Sequence, residues 1–229
     1  MPYKKIGQFG LMVPADFPIQ PFLSAHNNFV ALNKRITFSD VTFMEYSFAW
    51  NALAYRFRSC AEHDDKFTKS VVRFGIAPRI AERYHQEREF HAFFTCGLST
   101  LESLSYGIFA VCSALDHLTF PFASEKDFKQ INIKRTATAF LKKYPSHHFG
   151  ISLENLVNSN EFQEWQRFRN MLTHRTSPGR SLVMGKSGAL LRGQTLMIDE
   201  QTTRKRRLWL ADALTTLLTA AEDFSVTHC

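Results

Sequence analysis

From Arg79 to about Leu118 no proline interrupts the chain, and the second half of this stretch is apolar almost all round. Leu98, Leu101, Leu104, Tyr106, Ile108, Phe109, Val111 and Leu115 leave no polar face for solvent. A helix with that pattern must be wrapped by other elements, so the chain has to build its fold around it. Pro78 is tolerated at a first helical position and can open this helix. The first half is charged (Glu82, Arg83, Glu87, Arg88, Glu89), whereas Gly97, Ser99, Ser103, Ser105 and Gly107 let neighbours approach closely.

The flanking segments supply partners for it. Ser39-Asp40 is a good N-cap pair, and Phe43, Tyr46, Ala49, Trp50 and Leu53 follow at helical steps. This helix is expected to run to about Glu62, with His63-Asp64-Asp65-Lys66 as a loop and a weaker segment, Phe67–Phe74, closing at Gly75 and Pro78. A third helix is expected from Ser124-Glu125 to just before Pro145, with His147 and His148 in a loop and a short helical turn near Ser152. The next runs from Asn160 to Arg175 on a stripe of Phe162, Trp165, Phe168, Met171 and Leu172. Residues 181–198 read as short strands or a β-hairpin. The last helix is expected over Thr203–Phe224, with Leu208, Leu210, Leu214, Leu217 and Leu218 inward. Residues 1–38 carry Pro2, Pro14, Pro18 and Pro21 among Phe9, Phe17, Phe22 and Phe29. They predict an irregular N-terminal arm whose aromatics dock on the main body. Residues 39–229 then form a single domain. The fold class is mostly α, a helical bundle with a small β insertion before the last helix.

Composition agrees with a packed core: 45% of residues are hydrophobic and 22 are Phe. No stretch approaches ~18 uninterrupted apolar residues, so no membrane partner is expected. The opening Met1-Pro2-Tyr3-Lys4-Lys5 lacks the apolar run of a signal peptide. Cys60, Cys96, Cys112 and Cys229 show no paired or metal-binding spacing, and Cys96 and Cys112 would lie ~24 Å apart on one helix. A reduced, soluble, cytoplasmic protein is expected. No Cys neighbours a convincing base in sequence, and no Gly-x-Ser-x-Gly occurs.

Charge is uneven. The net charge is +7, and residues 161–207 hold ten Lys/Arg against four Asp/Glu. A polyanionic partner is the natural expectation for such a field. Within it stands Phe168-Arg169-Asn170-Met171-Leu172-Thr173-His174-Arg175, followed at once by Pro178-Gly179-Arg180. Asn170 and His174 share a helix face, and Arg169 flanks it. At a helix C-terminus the dipole favours a protonated imidazole. A His titrating near neutrality can act as general acid or base, and a guanidinium can hold a phosphate and its growing charge. Glu102 lies inside the apolar half of the long helix; buried, it needs a partner, for which Arg169 is a candidate, and otherwise it lies on a solvent-facing edge. Arg204-Lys205-Arg206-Arg207 opens the last helix, where four cations oppose the dipole unless anions, such as RNA phosphates, offset them. Arg167, Arg175, Arg180, Arg204, Lys205, Arg206 and Arg207 are the expected RNA-binding cations.

With these residues in place, the chain resembles the HEPN superfamily. This group of helical-bundle proteins includes many metal-independent endoribonucleases, marked by an Arg, a polar residue and a His a few positions on. Arg169, Asn170 and His174 match that motif closely, and the helical order matches loosely from about Ser39 to Phe224. The resemblance implies catalysis by these three residues with neither metal nor cofactor, and Glu102 is the supporting candidate from its place beside Arg169. It implies RNA as substrate, a homodimer whose two motif helices form one composite cleft, and a toxin or defence setting. An antitoxin protein is a further expected partner, although Thr176 stands where members modified as antitoxin targets carry a Tyr. The alternative is a non-catalytic RNA- or nucleotide-binding or interaction module on the same fold. The Arg–His spacing recurs at Arg58 with His63, and a near-copy one residue longer stands at Arg79 with His85. Gly185-Lys186-Ser187 lacks the spacing and flanking elements of a phosphate-binding loop. Glu82 and His85 have the Glu-x-x-His step of di-iron bundles without a second pair.

Overall fold

A computed structural model describes residues 2–6, 11–36, 38–174, 179–182, 188–191 and 196–228, with only the backbone of 174 and 182. Residues 175–178 and 183–187, with Arg175, Pro178 and the Gly185-Lys186-Ser187 run, lie outside the described residues.

The centre is a long hairpin of two helices, α2 (Asp40–Phe74) and α3 (Ile80–Leu115). Ser39 caps α2 by accepting from the Thr42 N–H at 3.1 Å. Gly75 ends it at φ 73° and ψ −177°, a region that side chains avoid, with its own N–H bonded to the Val71 carbonyl. The cross-links descend in antiparallel register. Tyr106 donates to Glu45, Arg56 donates to the Ser99 carbonyl, Cys96 meets Ser59, and His63 meets Glu89. No loop interrupts α2 at residues 63–66. His63 and Asp64 take partners on neighbouring helices, and Lys69 pairs with Asp65 at 2.6 Å one turn away, so polarity here reflects pairing rather than a break.

α3 has the surround its sequence demands. It is, among the described residues, the one helix long and apolar enough to cross a membrane, and 67% of its most apolar window is buried inside the fold. Around the hairpin pack α1 (Ile19–Ile36), α5 (Ile133–Lys143), α6 (His148–Asn158), α7 (Asn160–His174) and α8 (Thr202–His228), with a one-turn α4 (Glu125–Gln130) between α3 and α5. The result is the expected mostly helical bundle, with one apolar core running from Ile6 to Phe224.

The N-terminal expectation needs correction. Residues 19–36 form a helix, because Pro21 falls in its first turn, where backbone N–H groups lack intrahelical partners anyway. Phe22, Ala25, Phe29 and Leu32 then face the core at helical spacing. Three of the expected aromatics dock: Phe17 stands edge-on to Phe57, Phe22 stacks on Trp50 at 5.3 Å, and Phe29 stands edge-on to Trp50 and Tyr46, while Phe9 lies outside the described residues. Ahead of α1, β1 (Tyr3–Lys5) pairs antiparallel with β2 (Met12–Pro14).

Two other boundaries move for local reasons. The expected third helix divides into α4 and α5 because Asn132 caps a new helix, accepting from the Arg135 N–H at 3.0 Å. His147 is no loop residue: its ring accepts from the Phe149 N–H at 3.1 Å and starts α6. The insertion before α8 is a three-stranded antiparallel sheet of β3 (Arg180–Leu182), β4 (Ala189–Leu191) and β5 (Met197–Ile198), in that order.

Candidate functional site

The site is placed by how α7 docks on α3. Ser159 starts α7 by accepting from the Phe162 N–H, and Phe162, Trp165 and Phe168 are buried on one stripe. Trp165 lies in the notch left by Gly97: a Cβ there would stand 2.2 Å from its ring. Phe93 and Phe94 pack on the same indole at 4.9 and 5.0 Å, and Phe94 also meets Phe168 at 5.4 Å.

This docking carries Arg169 to the hairpin. Its guanidinium donates to Glu102 at 3.0 Å, the candidate pairing, although Glu102 sits at a solvent-facing edge. Ser99 Oγ donates to the other Glu102 oxygen at 3.3 Å. Both charged side chains stay partly open, Arg169 at 29% and Glu102 at 40% exposure, so the ion pair orients the arginine more than it stabilises the fold. Asn170 is exposed beside it. The α7 backbone continues through His174, whose side chain lies outside the described residues.

The six described members of the expected RNA-binding cations separate into two groups. Arg167, Arg204 and Lys205 are exposed, and the Arg167 guanidinium lies over the Phe168 ring at 5.1 Å. Arg175 lies outside the described residues. Arg180, Arg206 and Arg207 face inward. Arg180, 4% exposed, binds Glu87, Gln86 and the Ile76 carbonyl and ties β3 to the start of α3. Its burial pulls the guanidinium pKa down and Glu87 partly restores it. Arg206 pairs with Glu164 of α7 and the Thr202 carbonyl. Arg207 is buried between Asp64 of α2, at 2.7 Å, and Asp16. Protein carboxylates therefore offset much of the charge at the start of α8. Sequence offered a signal for this. Thr203, Arg207, Leu210, Ala211 and Leu214 share the inward stripe, so Arg207 occupies a core position, while Leu208, expected inward, is 48% exposed.

A cavity of about 440 Å³ opens beside that cluster, lined by Asp16, Asp64, Asp65, Thr68, Arg204 and Arg207 among others. None of Arg169, Asn170 or Glu102 lines it. Among the described residues, no group of three His, Cys, Asp or Glu side chains is placed to hold a metal ion.

The fold also makes one constellation that the sequence did not announce. His63 Nδ1 lies 2.7 Å from Glu89 Oε2, and further along the hairpin Cys96 Sγ lies 3.4 Å from Ser59 Oγ. The hairpin thus brings together a histidine and a glutamate 26 residues apart in the chain. Only the α2–α3 register could have revealed it.

No family model, curated protein or solved structure matches this chain.

Proposed function

We propose that the chain is a HEPN-like, metal-independent endoribonuclease acting as a homodimer in a toxin or defence setting. One observation carries the reading: Arg169, in the closing turns of α7, is held by Glu102 while remaining partly open to solvent. A guanidinium fixed through one nitrogen keeps its other donors for a phosphate. In the proposed reaction His174 takes the proton of a ribose 2′-hydroxyl. That oxygen bonds to the adjacent phosphorus, the bond from phosphorus to the 5′-oxygen breaks, and the departing oxygen is protonated. The products are a 2′,3′-cyclic phosphate and a 5′-hydroxyl end. Arg169 stabilises the charge growing on the non-bridging oxygens, and Asn170 orients substrate or imidazole. Exposed Arg167, Arg204 and Lys205 supply contacts to flanking phosphates.

The test is cleavage of mixed RNA in EDTA by the wild-type chain, His174→Ala and Arg169→Ala. Each substitution is expected to lower the rate by roughly 10²–10⁴-fold, with cyclic-phosphate ends on the wild-type products. No cleavage by the wild type, or equal cleavage by all three, removes the catalytic reading. RNA binding without cleavage puts a binding module in its place.

A further inference from the structure

The outer face of α2 changes character along its length. Val41, Met44, Phe48 and Tyr55 follow at three-, four- and seven-residue steps, so they form one line along the helix, with exposed Asn51 between the last two. They are 52, 51, 60 and 59% exposed. Beyond Tyr55 the same line continues through Arg58, Glu62, Lys66 and Lys69, the charged pattern of a face that meets water. Large apolar side chains standing out along one helix face mark an interaction surface, and the three-and-four spacing is that of a helix-pairing seam.

We propose that this seam pairs antiparallel with the same seam of a second copy of the chain. About a two-fold axis, each flank of one helix meets the same flank of the other, reversed in direction. Asp40 and Arg58 lie on one flank, and Glu45 and Arg56 lie on the other, so both flanks run from acid to base. A single register then sets Met44 against Tyr55 of the second copy, Phe48 against Asn51, Asp40 against Arg58 and Glu45 beside Arg56, each with its reciprocal. A parallel pairing would set acid against acid and base against base.

The flanking charges are already oriented by the hairpin. Glu45 accepts from Tyr106 at 2.9 Å, and Arg56 donates to the Ser99 carbonyl at 3.1 Å. Arg58 is held by Glu62 at 2.8 Å and keeps 38% of its side chain exposed. Each retains lone pairs or N–H groups for a partner across the seam. Residues 40–58 span ~27 Å of helix. Two such faces with their flanks bury on the order of 1,200 Å² in all, the lower end for a specific interface, so the dimer exchanges with monomer at micromolar concentration. The seam belongs to α2 rather than to the motif helix α7, and the inference rests on its apolarity and charge, not on RNA cleavage.

The experiment is analytical ultracentrifugation of the full chain from about 1 to 100 µM, with circular dichroism to check that each variant is folded. The wild type is expected to pass from monomer mass to dimer mass across this range. Phe48 is exposed, so Phe48→Glu spares the core, and it should raise the dissociation constant more than about tenfold. Lys66→Glu, on the charged continuation of the same face, should leave it unchanged. Asp40→Lys and Arg58→Glu should each weaken pairing by roughly threefold to tenfold, and the two together should restore it. A dimer lost on Phe48→Glu supports the seam even if the chain cuts no RNA. The proposal is overturned if the wild type stays monomeric at about 100 µM, or if folded Phe48→Glu protein pairs as tightly as the wild type. It is equally overturned if Lys66→Glu weakens pairing as much as Phe48→Glu, or if the double charge reversal pairs no better than the single ones.

Discussion

Arg207 and Arg169 are both arginines paired to glutamate or aspartate across helices, and they differ in almost everything else. Arg207 is 6% exposed and shared between Asp64, itself 5% exposed, and Asp16, so three helix and loop segments meet on one guanidinium. Arg169 has one carboxylate partner, and both members of that pair keep contact with water. Removing one partner from a buried cluster strands a charge in low dielectric, whereas an open pair loses little because water replaces it. Burial thus separates an arginine that holds the fold from one free to meet a ligand. The basic run in the sequence contains both kinds.

The largest expected effect comes from breaking the buried side of this contrast. Arg207→Ala should cost about 3–5 kcal/mol of unfolding free energy in urea denaturation, because Asp64 keeps its burial and loses its counter-charge. A loss under about 1 kcal/mol would mean that water reaches the cluster freely and the contrast fails.

Next comes the docking that brings Arg169 to Glu102. Gly97→Ala forces a methyl against the Trp165 ring and should destabilise the fold by about 1–3 kcal/mol through overpacking. If α7 docking positions Arg169, this variant should also reduce RNA cleavage although it touches no proposed catalytic group.

The His63–Glu89 pair is intermediate, at 22% and 6% exposure, and its contribution should follow pH. His63 is raised, so its share is full below about pH 6.5 and fades as pH rises through the folded-state value. Glu89 is lowered: burial pushes it up, but bonds from His63 and Arg88 prevail. Its share is full above about pH 4.5 and fades as pH falls through the folded-state value. The destabilisation by Glu89→Gln should therefore peak between those limits in thermal melts across pH. A flat difference from pH 4 to pH 8 would show that the pair is not ionised in the fold.

The smallest stability effect belongs to the open pair. Glu102→Gln should change unfolding free energy by less than about 1 kcal/mol, yet lower RNA cleavage if orientation of Arg169 is its role. A large stability loss with unchanged cleavage would reverse the assignment and make Arg169 a strut.

The fold was legible wherever a pattern repeated along a helix. Apolarity around α3 called for a wrapped centre, and the stripe of Phe162, Trp165 and Phe168 marked the inner face of α7. Legibility failed where a polar residue had a distant partner. His63 and Asp64 read as loop because local sequence does not contain Glu89 or Arg207. The cation run at residues 204–207 read as one surface because composition has no faces, whereas the helix turns Arg207 inward and Leu208 outward. Arg169 was the candidate partner for Glu102, and the pair forms, but at a solvent-facing edge where Glu102 is 40% exposed, so burial does not demand it.

The sequence by itself therefore determined the class of the molecule: long amphipathic and largely apolar helices that must bundle, capped and ended where Ser39 and Gly75 dictate. Those features depend on neighbours a few residues away. Tertiary structure alone decided which charges are struts and which remain available. It also decided that His63 meets Glu89, because antiparallel register brings distant side chains within bonding distance and burial sets how much each pairing is worth.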